Sequence, residues 1–398
     1  MNIMEKINNI YDEIVQIRRD LHEQPELSEE ESRTAELISR FLQENNIEHE
    51  KNIAGHGIVA IIYGKAKPNK NQKFTTVGIR GDIDALPIEE CVDVPFKSKI
   101  KGVMHACGHD IHTATLMGTA KILKQLEDEL QGNVKFFFEP AEETIGGAKQ
   151  MIESGCLKNP DVDVVLGMHI APDIEVGKVE FRRGKMNAAS TEFEINVQGV
   201  SCHGAHPEEG IDSIVVMSHI ICALQSIITR NLAPTNPGII SIGQIQGGRK
   251  NNVIANETHV WGIIRALDNN TRDYIKQRVK CISENIAQGF GAKVNIEFFD
   301  SYPALENDDE ISEILEKTAE RVLSKENLRF LAEPSLGADD FSYFSQEAKG
   351  LYFNVGCLSH GEKHQMLHNE YLNPHEESIR VGMMMQIFGT IDLFKVEK

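Results

Sequence analysis

Two features typical of exported and membrane proteins are missing from this sequence of 398 residues. The N-terminal stretch MNIMEKINNIYDEIVQIRRDLHEQ is amphipathic with mixed charges and lacks the apolar core of a signal peptide. No later run approaches the roughly 20 apolar residues that a membrane span needs. The seven cysteines are scattered without a CxxC pair, which argues against a disulfide framework. We therefore expect a cytoplasmic protein with reduced thiols.

Positive charge is also scarce. The chain has 41 lysines and arginines against 60 acidic residues, a formal net charge of −19. This balance argues against a nucleic acid or an anionic membrane surface as partner. The sequence also lacks common motifs of nucleotide-binding proteins, zinc proteases and esterases, namely GxGxxG after a strand, GxxxxGK[ST], HExxH and GxSxG.

The apolar residues that are present fall into two patterns. Continuous apolar runs at 57–64, 74–84, 133–140, 162–170 and 350–357 are typical of buried strands, and helical stretches such as 112–130 separate some of them. These segments predict an α/β layer with a mostly parallel central sheet. Residues 187–302 instead show the order β-α-β-β-α-β of a ferredoxin-like α+β unit. We predict a first domain formed by 1–186 and 303–398, interrupted by a second domain at 187–302.

Polar side chains follow three of the predicted buried strands. Asp84 ends the run GIRGDID, Glu142 and Glu143 follow KFFFEPA, and His169 ends VVLGMH. Ligands of open α/β sheets bind at the carboxyl ends of the strands. This pattern therefore predicts a functional site at that edge.

The segment HACGHDIH at 105–112 adds a thiol and imidazoles to this site. Cys107 and His109 are two residues apart and suit zinc or a similar divalent ion. Alone, CGH slightly favours a buried cysteine and a helix-capping histidine, but the adjacent glutamates favour a cation nearby. One glutamate can bind metal while the other acts as a base toward water, whose pKa a divalent ion lowers to about 7. The residues thus indicate metal-assisted hydrolysis.

Longer motifs carry a family resemblance. RGDIDALPIEE, GVMHACGHDIHTATLMG, EPAEETIGGAKQMIESG, GMHI, HGAHPEEGID and GADDFSYF resemble the amidohydrolases grouped with hippurate hydrolase, bacterial N-acyl-amino-acid deacylases and plant auxin-conjugate hydrolases. These belong to the wider family of aminoacylase-type dinuclear metallopeptidases. The resemblance implies a zinc-exopeptidase-like catalytic domain with two divalent ions (Zn, Mn, Co or Ni) and an inserted lid domain that forms a homodimer.

Carried over motif by motif, the resemblance implies five metal ligands, with Cys107 bridging the ions: Cys107, His109, Glu143, His169 and His368. Two flanking histidines, His105 and His112, are interpreted as supporting or helix-start residues rather than ligands.

Further roles come from the same resemblance. Glu142 would be the general base and acid, and Asp84 would orient a ligand. His203 and Asn252 would contact substrate from the lid, with Arg265 a weaker candidate for the same region.

The sequence departs from the family pattern in the lid. The family motif commonly reads HGAxPH, whereas HGAHPEE has Glu208 at the place of the second histidine and an extra His206. Near the C-terminus, His368 fits the pattern of an apolar residue four and an acid eight positions later. His364 and His375 are predicted to be surface residues.

The leading hypothesis is hydrolysis of the amide of an N-acyl-L-amino acid to a carboxylic acid and a free amino acid. The same site could serve a dipeptidase or exopeptidase, or a deacetylase of N-acetyl-diaminopimelate. A non-catalytic metal- or ligand-binding protein is the alternative outside enzymes. The presence of Glu142 speaks against it, because binding alone requires no base.

Overall fold

The computed structural model describes residues 2–398, which form nine α-helices and fourteen strands. In chain order these are α1 (Ile3–Glu23), α2 (Ser32–Glu44), β1 (Glu48–Ile53), β2 (Gly57–Ile62), β3 (Thr76–Asp82), α3 (His109–Gln125), β4 (Asn133–Glu139), α4 (Gly147–Glu153), β5 (Val164–Glu175), β6 (Val179–Phe181), β7 (Gly184–Asn187), β8 (Ala189–Gln198), α5 (Ser213–Ser226), β9 (Gly238–Gly247), β10 (Glu257–Ala266), α6 (Asn269–Gly289), β11 (Lys293–Asp300), β12 (Leu305–Asn307), α7 (Asp309–Leu323), β13 (Leu328–Phe330), α8 (Phe341–Glu347), β14 (Lys349–Leu358) and α9 (Glu377–Leu393).

The chain divides into two units. The first contains the described residues up to Gly184 together with Glu306–Glu333 and Asp340–Lys398, and the second contains Lys185–Leu305 with Pro334–Asp339. The predicted ranges place 334–339 in the first domain, whereas the structure groups them with the second unit. Backbone hydrogen bonds explain the grouping, since Ser335 N donates to Met186 O at 2.9 Å and Ala188 N to Gly337 O at 3.0 Å.

The first unit is built on an eight-stranded sheet in the order β1-β2-β4-β3-β5-β14-β6-β13. Its four central strands, β4, β3, β5 and β14, run parallel, and β1 and β2 pair antiparallel at one edge. Every residue of β3 is buried, in agreement with the continuous apolar runs of the sequence. The prediction of an α/β fold with a mostly parallel central sheet is confirmed.

Helices cover both faces of this sheet. On β5, a Cβ at Gly167 would meet Phe341 of α8, while the sulfur of Met168 lies against Gly382 of α9. Because successive side chains of a strand point to opposite faces, α8 and α9 lie on opposite sides of the sheet. The parallel strands are therefore buried on both faces, and the carboxyl ends of the strands are left to carry polar groups.

The second unit contains a four-stranded antiparallel sheet in the order β11-β8-β10-β9. With α5 and α6 it has the chain order β-α-β-β-α-β predicted for a ferredoxin-like unit. Its apolar core lies between the sheet and the two helices and includes Phe193, Ile220, Val260 and Ile275.

One helical segment of the second unit, Ser213–Asn231, is long and apolar enough to cross a membrane by length and composition alone. No such segment was predicted from the sequence. Val216, Ile220 and Leu224 of this segment are buried in the core of the unit, as in a helix that packs on a sheet. Only 33% of its most apolar window is buried.

Candidate metal centre

Parallel strands of the first unit bring the predicted polar residues to one edge of the sheet. β3 and β4 end just before Asp84 and Glu142, and His169 lies on β5. Since β5 and β4 both pair with β3, these positions are neighbours. The strand-end pattern of the sequence therefore corresponds to a spatial cluster.

The turn between Cys107 and His109 requires a glycine. Gly108 has φ +87°, and a Cβ at this position would lie 2.2 Å from Cδ1 of Ile170. Such a backbone conformation costs other residues about 1–2 kcal/mol. The sharp turn allows Cys107 and His109, on either side of it, to face the same point at the start of α3.

The five predicted ligands come together in two groups. Cys107, His109 and His169 form one group of potential ligand atoms within 4.8 Å of one another, and Cys107, Glu143 and His368 form another. Cys107 Sγ lies 3.4 Å from His169 Nε2, and His368 Nε2 lies 3.2 Å from Oε1 of Glu143. The thiol belongs to both groups, which is the arrangement expected of a ligand shared by two ions.

The chemistry of these donors fits divalent metal ions. Among the described residues, the buried atom His109 Nε2 has no hydrogen-bond partner, and it lies 3.8 Å from Oε1 of Glu143, which in turn lies 3.2 Å from Nε2 of His368. Buried polar atoms are seldom left unpaired, and a cation between them would satisfy both. A set of thiolate, imidazole and carboxylate is typical of zinc and similar divalent ions.

Hydrogen bonds fix the orientation of two imidazoles of the predicted ligand set. Asp84 Oδ1 lies 3.1 Å from Nδ1 of His109, and the second oxygen of Asp84 accepts from the backbone N–H of Glu143 at 3.0 Å. His169 Nδ1 lies 2.8 Å from the carbonyl oxygen of Ile170. In both histidines Nδ1 is thus engaged, which leaves Nε2 for a metal.

The pKa values of the site reflect closely packed acids around an imidazole. Burial alone would lower the pKa of His109, but the charge of Asp82 and the hydrogen bond to Asp84 raise it well above its ordinary value. Burial raises the pKa of the Cys107 thiol well above its ordinary value. A bound cation lowers the pKa of a ligand thiol, so metal binding and loss of the thiol proton would be coupled.

Glu142 lies beside the ligand groups without belonging to the predicted set. It is 8% exposed, and one of its oxygens is within 4.8 Å of ligand atoms of both His109 and Glu143. The preceding residue, Ala141, has φ +55°, a left-handed conformation that turns the chain sharply between β4 and the two glutamates.

His112 lies beside the site and forms hydrogen bonds through both ring nitrogens. Its Nδ1 lies 2.6 Å from Oδ1 of Asp82, and its Nε2 accepts from the backbone N–H of Ile170 at 3.0 Å. Both ring nitrogens are therefore used. His105 is also buried, and burial lowers its pKa to about 4.

A buried arginine beneath the site was not predicted from the sequence. The guanidinium of Arg80 contacts Glu139 at 2.6 Å, Asp82 at 2.5 Å and Asp340 at 2.8 Å. Burial and the Glu139 charge raise the pKa of Asp340 well above its ordinary value. A lone arginine in the apolar run TVGIRGD could have signalled this cluster, because a buried charge must be paired.

In the second unit, the structure brings together two of the three predicted substrate-binding residues. His203 pairs with Val253 in an isolated bridge, and Gly204 N donates to Asn252 O at 2.8 Å. Arg265 instead lies near the far end of β10, about 26 Å along the strand from Glu257 at a rise of about 3.3 Å per residue. Within this unit it does not share a region with Asn252.

The C-terminal histidines occupy different environments. His368 has φ +61°, and its backbone N–H donates to Ala106 O at 2.8 Å, which holds it beside Cys107. Like His368, His364 and His375 are exposed, and Nδ1 of His375 accepts from the backbone N–H of Glu377.

Comparisons with known proteins identify the family of this chain. Residues 78–386 match the family described as Peptidase family M20/M25/M40. The chain is 41% identical to thermostable carboxypeptidase 2 of Saccharolobus solfataricus, covering 89% of this chain and 90% of that protein. It is 37% identical to N-acetyl-L-cysteine deacetylase of Bacillus subtilis, covering 88% of this chain and 82% of that protein.

A solved structure agrees with both sequence comparisons. A Bacillus subtilis protein described as a dinuclear metal-binding peptidase of the M20 family superposes with a TM-score of 0.82 at 32% identity, covering 97% of this chain and 98% of that one. The two groups of donors that share Cys107 suit the two metal ions of such a protein. The motif resemblance is thereby confirmed, and the chain belongs to peptidase family M20/M25/M40.

Proposed function

We propose that this protein hydrolyses the amide bond of N-acyl-L-amino acids and releases a carboxylic acid and a free amino acid. The observation that carries the proposal is the buried carboxylate of Glu142 beside two donor groups that share Cys107. The deacetylase of Bacillus subtilis, at 37% identity, is named for this chemistry and supports the choice of substrate class.

The chain's own residues divide the work between metal binding and proton transfer. Cys107, His109, Glu143, His169 and His368 would hold two divalent ions. When bound, such ions acidify water and polarise a substrate carbonyl. Asp84 holds His109 in the orientation that directs Nε2 toward the site.

Glu142 is proposed as the general base and acid. Its carboxylate would accept a proton from the attacking water and return it to the amide nitrogen as the C–N bond breaks. Hydrolysis then adds one water across the bond, and the products are a carboxylate and an amine.

Substrate contacts are proposed for His203 and Asn252, whose backbones are adjacent in the second unit. His203 would assist the developing oxyanion and Asn252 the substrate carboxylate or amide. Arg265 remains a weaker candidate, because it lies far from Asn252 along β10.

Metal-stripped protein provides the test of the proposed function. Zn, Mn, Co or Ni would be added back separately, and hydrolysis of N-acetyl- and N-benzoyl-amino acids would be measured beside unblocked dipeptides. Metal-dependent release from the blocked substrates is expected. Silence on every substrate with metal shown to be bound would support a binding protein instead.

A peptidase is the second candidate because a relative at 41% identity is named a carboxypeptidase. Such an enzyme would use the same groups but would accept a free α-amino group on the substrate. Cleavage confined to the dipeptides would favour it, and cleavage of N-acetyl-diaminopimelate alone would favour a biosynthetic deacetylase.

A homodimer formed through the second unit is also proposed. Ile214 and Val215 of α5 are 44% and 42% exposed, and Ile245 on the edge strand β9 is 53% exposed. Apolar side chains on a helix and an unpaired sheet edge favour association with a second copy. We further propose a cytoplasmic location, since all seven cysteines are free thiols.

A further inference from the structure

The turn that carries Glu142 and Glu143 is held by two carboxylates from other parts of the first unit. Asp84 accepts from the backbone N–H of Glu143 at 3.0 Å, and Glu31 accepts from the backbone N–H of Ala141 at 2.8 Å. Ala141 is the left-handed residue of the turn. The Glu31 contact therefore fixes the chain immediately before Glu142.

Glu31 is unusually placed for a residue at the start of a helix. It occupies the N-cap position of α2, yet its side chain does not cap that helix. Glu26 does so instead, because its two oxygens accept from the N–H groups of Arg33 and Thr34 at 3.0 Å and 2.8 Å. The Glu31 side chain is thereby released to reach Ala141.

The Glu31 carboxylate is fully buried, at 0% exposure, and its Oε2 has no hydrogen-bond partner among the described residues. An acid buried with one unpaired oxygen is costly, and a cap would work equally well from an exposed position. The free-energy cost of burying the Glu31 carboxylate indicates that this side chain serves to hold the turn at Ala141 and not to cap α2. Glu31 also lies outside the matched family range of 78–386.

We propose that Glu31 is a positioning residue for hydrolysis, which holds the left-handed turn at Ala141 so that Glu142 points at the scissile amide. The proposal rests on the assignment of Glu142 as base. A displacement of about 1 Å at a reacting group costs about 100-fold in rate. Loss of the Glu31 acceptor should thus lower kcat and leave KM and metal content close to those of the wild type.

Three variants test the proposal in the metal-loaded full chain. Glu31→Ala should lower kcat by about 10- to 100-fold at unchanged KM. Glu31→Gln keeps an acceptor oxygen of the same reach and should retain most of the wild-type kcat, since burial and the nearby Asp84 charge already raise the pKa of Glu31. Glu26→Ala removes a comparable contact in the same segment and should lower the melting temperature but not kcat.

Hydrogen exchange supplies a readout independent of turnover. In Glu31→Ala, the backbone amides of a peptide covering 140–146 should exchange faster than in wild type and in Glu26→Ala. Equal kcat losses in Glu31→Ala and Glu26→Ala, or a Glu31→Gln variant as slow as Glu31→Ala, would overturn the proposal. If wild type cleaves no amide, the proposed function fails, whereas unchanged exchange at 140–146 refutes the Glu31 role itself.

Discussion

The sheets of the two units differ most in where they keep charged side chains. On the central strands of the first unit, Arg80, Asp82 and Glu139 are all fully buried. None of the charged side chains that the structure describes on β8, β9, β10 and β11 is buried. Burial of a charged side chain costs free energy. The concentration of buried charges in the sheet of the first unit therefore marks a region where folding stability is lower than it could be, in favour of catalysis.

The largest effect that this comparison predicts concerns catalysis in the first unit. Glu142→Gln removes the proton acceptor but keeps the shape of the side chain, and kcat should fall by about 1000-fold. Metal content, measured by atomic emission, should stay at the wild-type level. Glu194→Gln on β8 is the matched control and should keep its rate. Full activity in Glu142→Gln would remove Glu142 from the role of base.

A second prediction compares one arginine from each sheet. Arg80→Met leaves three buried carboxylates without their cation and should lower the free energy of unfolding by about 3–5 kcal/mol. Arg265 on β10 forms no ion pair within 4 Å among the described residues, so Arg265→Met should cost less than about 1 kcal/mol. Urea unfolding would measure both, and equal losses would contradict the contrast between the sheets.

Loss of folding stability in acid should likewise depend more on a buried carboxylate of the first unit than on an exposed one of the second unit. Burial opposes ionisation of Asp110, but Arg18 at 2.8 Å and His22 at 2.7 Å lower its pKa. The pKa of Asp110 is lower in the folded than in the unfolded state. The stability that its ionised carboxylate contributes is therefore fully present above about pH 4 and is lost as the pH falls.

Asp110→Asn should therefore flatten the decline of unfolding free energy measured between about pH 5 and pH 2. Asp300 in the second unit also has a lowered pKa, through Lys276 and Thr191, but its side chain is 43% exposed. Solvent screens such a pair, so Asp300→Asn should change the acid limb less. A larger change in Asp300→Asn would reverse the expected order.

The smallest effect concerns association and leaves the fold intact. Ile245→Glu on β9 should weaken a dimer that forms through the second unit, and sedimentation velocity would detect the monomer. Phe330→Glu is the control, since Phe330 is 61% exposed on edge strand β13 of the first unit. Dissociation by Phe330→Glu alone would move the proposed interface to the first unit.

Much of the first unit could be predicted because its buried strands are continuous apolar runs that end in polar residues. β3 and β4 place Asp84 and Glu142 where the sequence suggested, since parallel strands share one edge. The β-α-β-β-α-β order of the second unit could be predicted equally well, because the alternation of apolar residues in strands and their helical periodicity do not depend on distant residues.

The contacts that complete the site could not be predicted in this way. Arg80 and Asp340 are 260 positions apart, and Glu31 and Ala141 are 110 apart. Neither local propensity nor period carries information about such pairs, which exist only after the chain has folded. For the same reason the sequence does not indicate that Pro334–Asp339 groups with the second unit, since its hydrogen bonds to Met186 and Ala188 are long-range.

The sharing of Cys107 by both donor groups has a consequence for the durability of the enzyme. Sulfur is oxidised or alkylated far more readily than imidazole or carboxylate. Modification of this one atom would remove a ligand from both ion positions at once, whereas damage to His169 or His368 would affect one. At 8% exposure the thiol is largely shielded, and its raised pKa keeps it protonated until a cation binds, so burial protects the sulfur that both groups share.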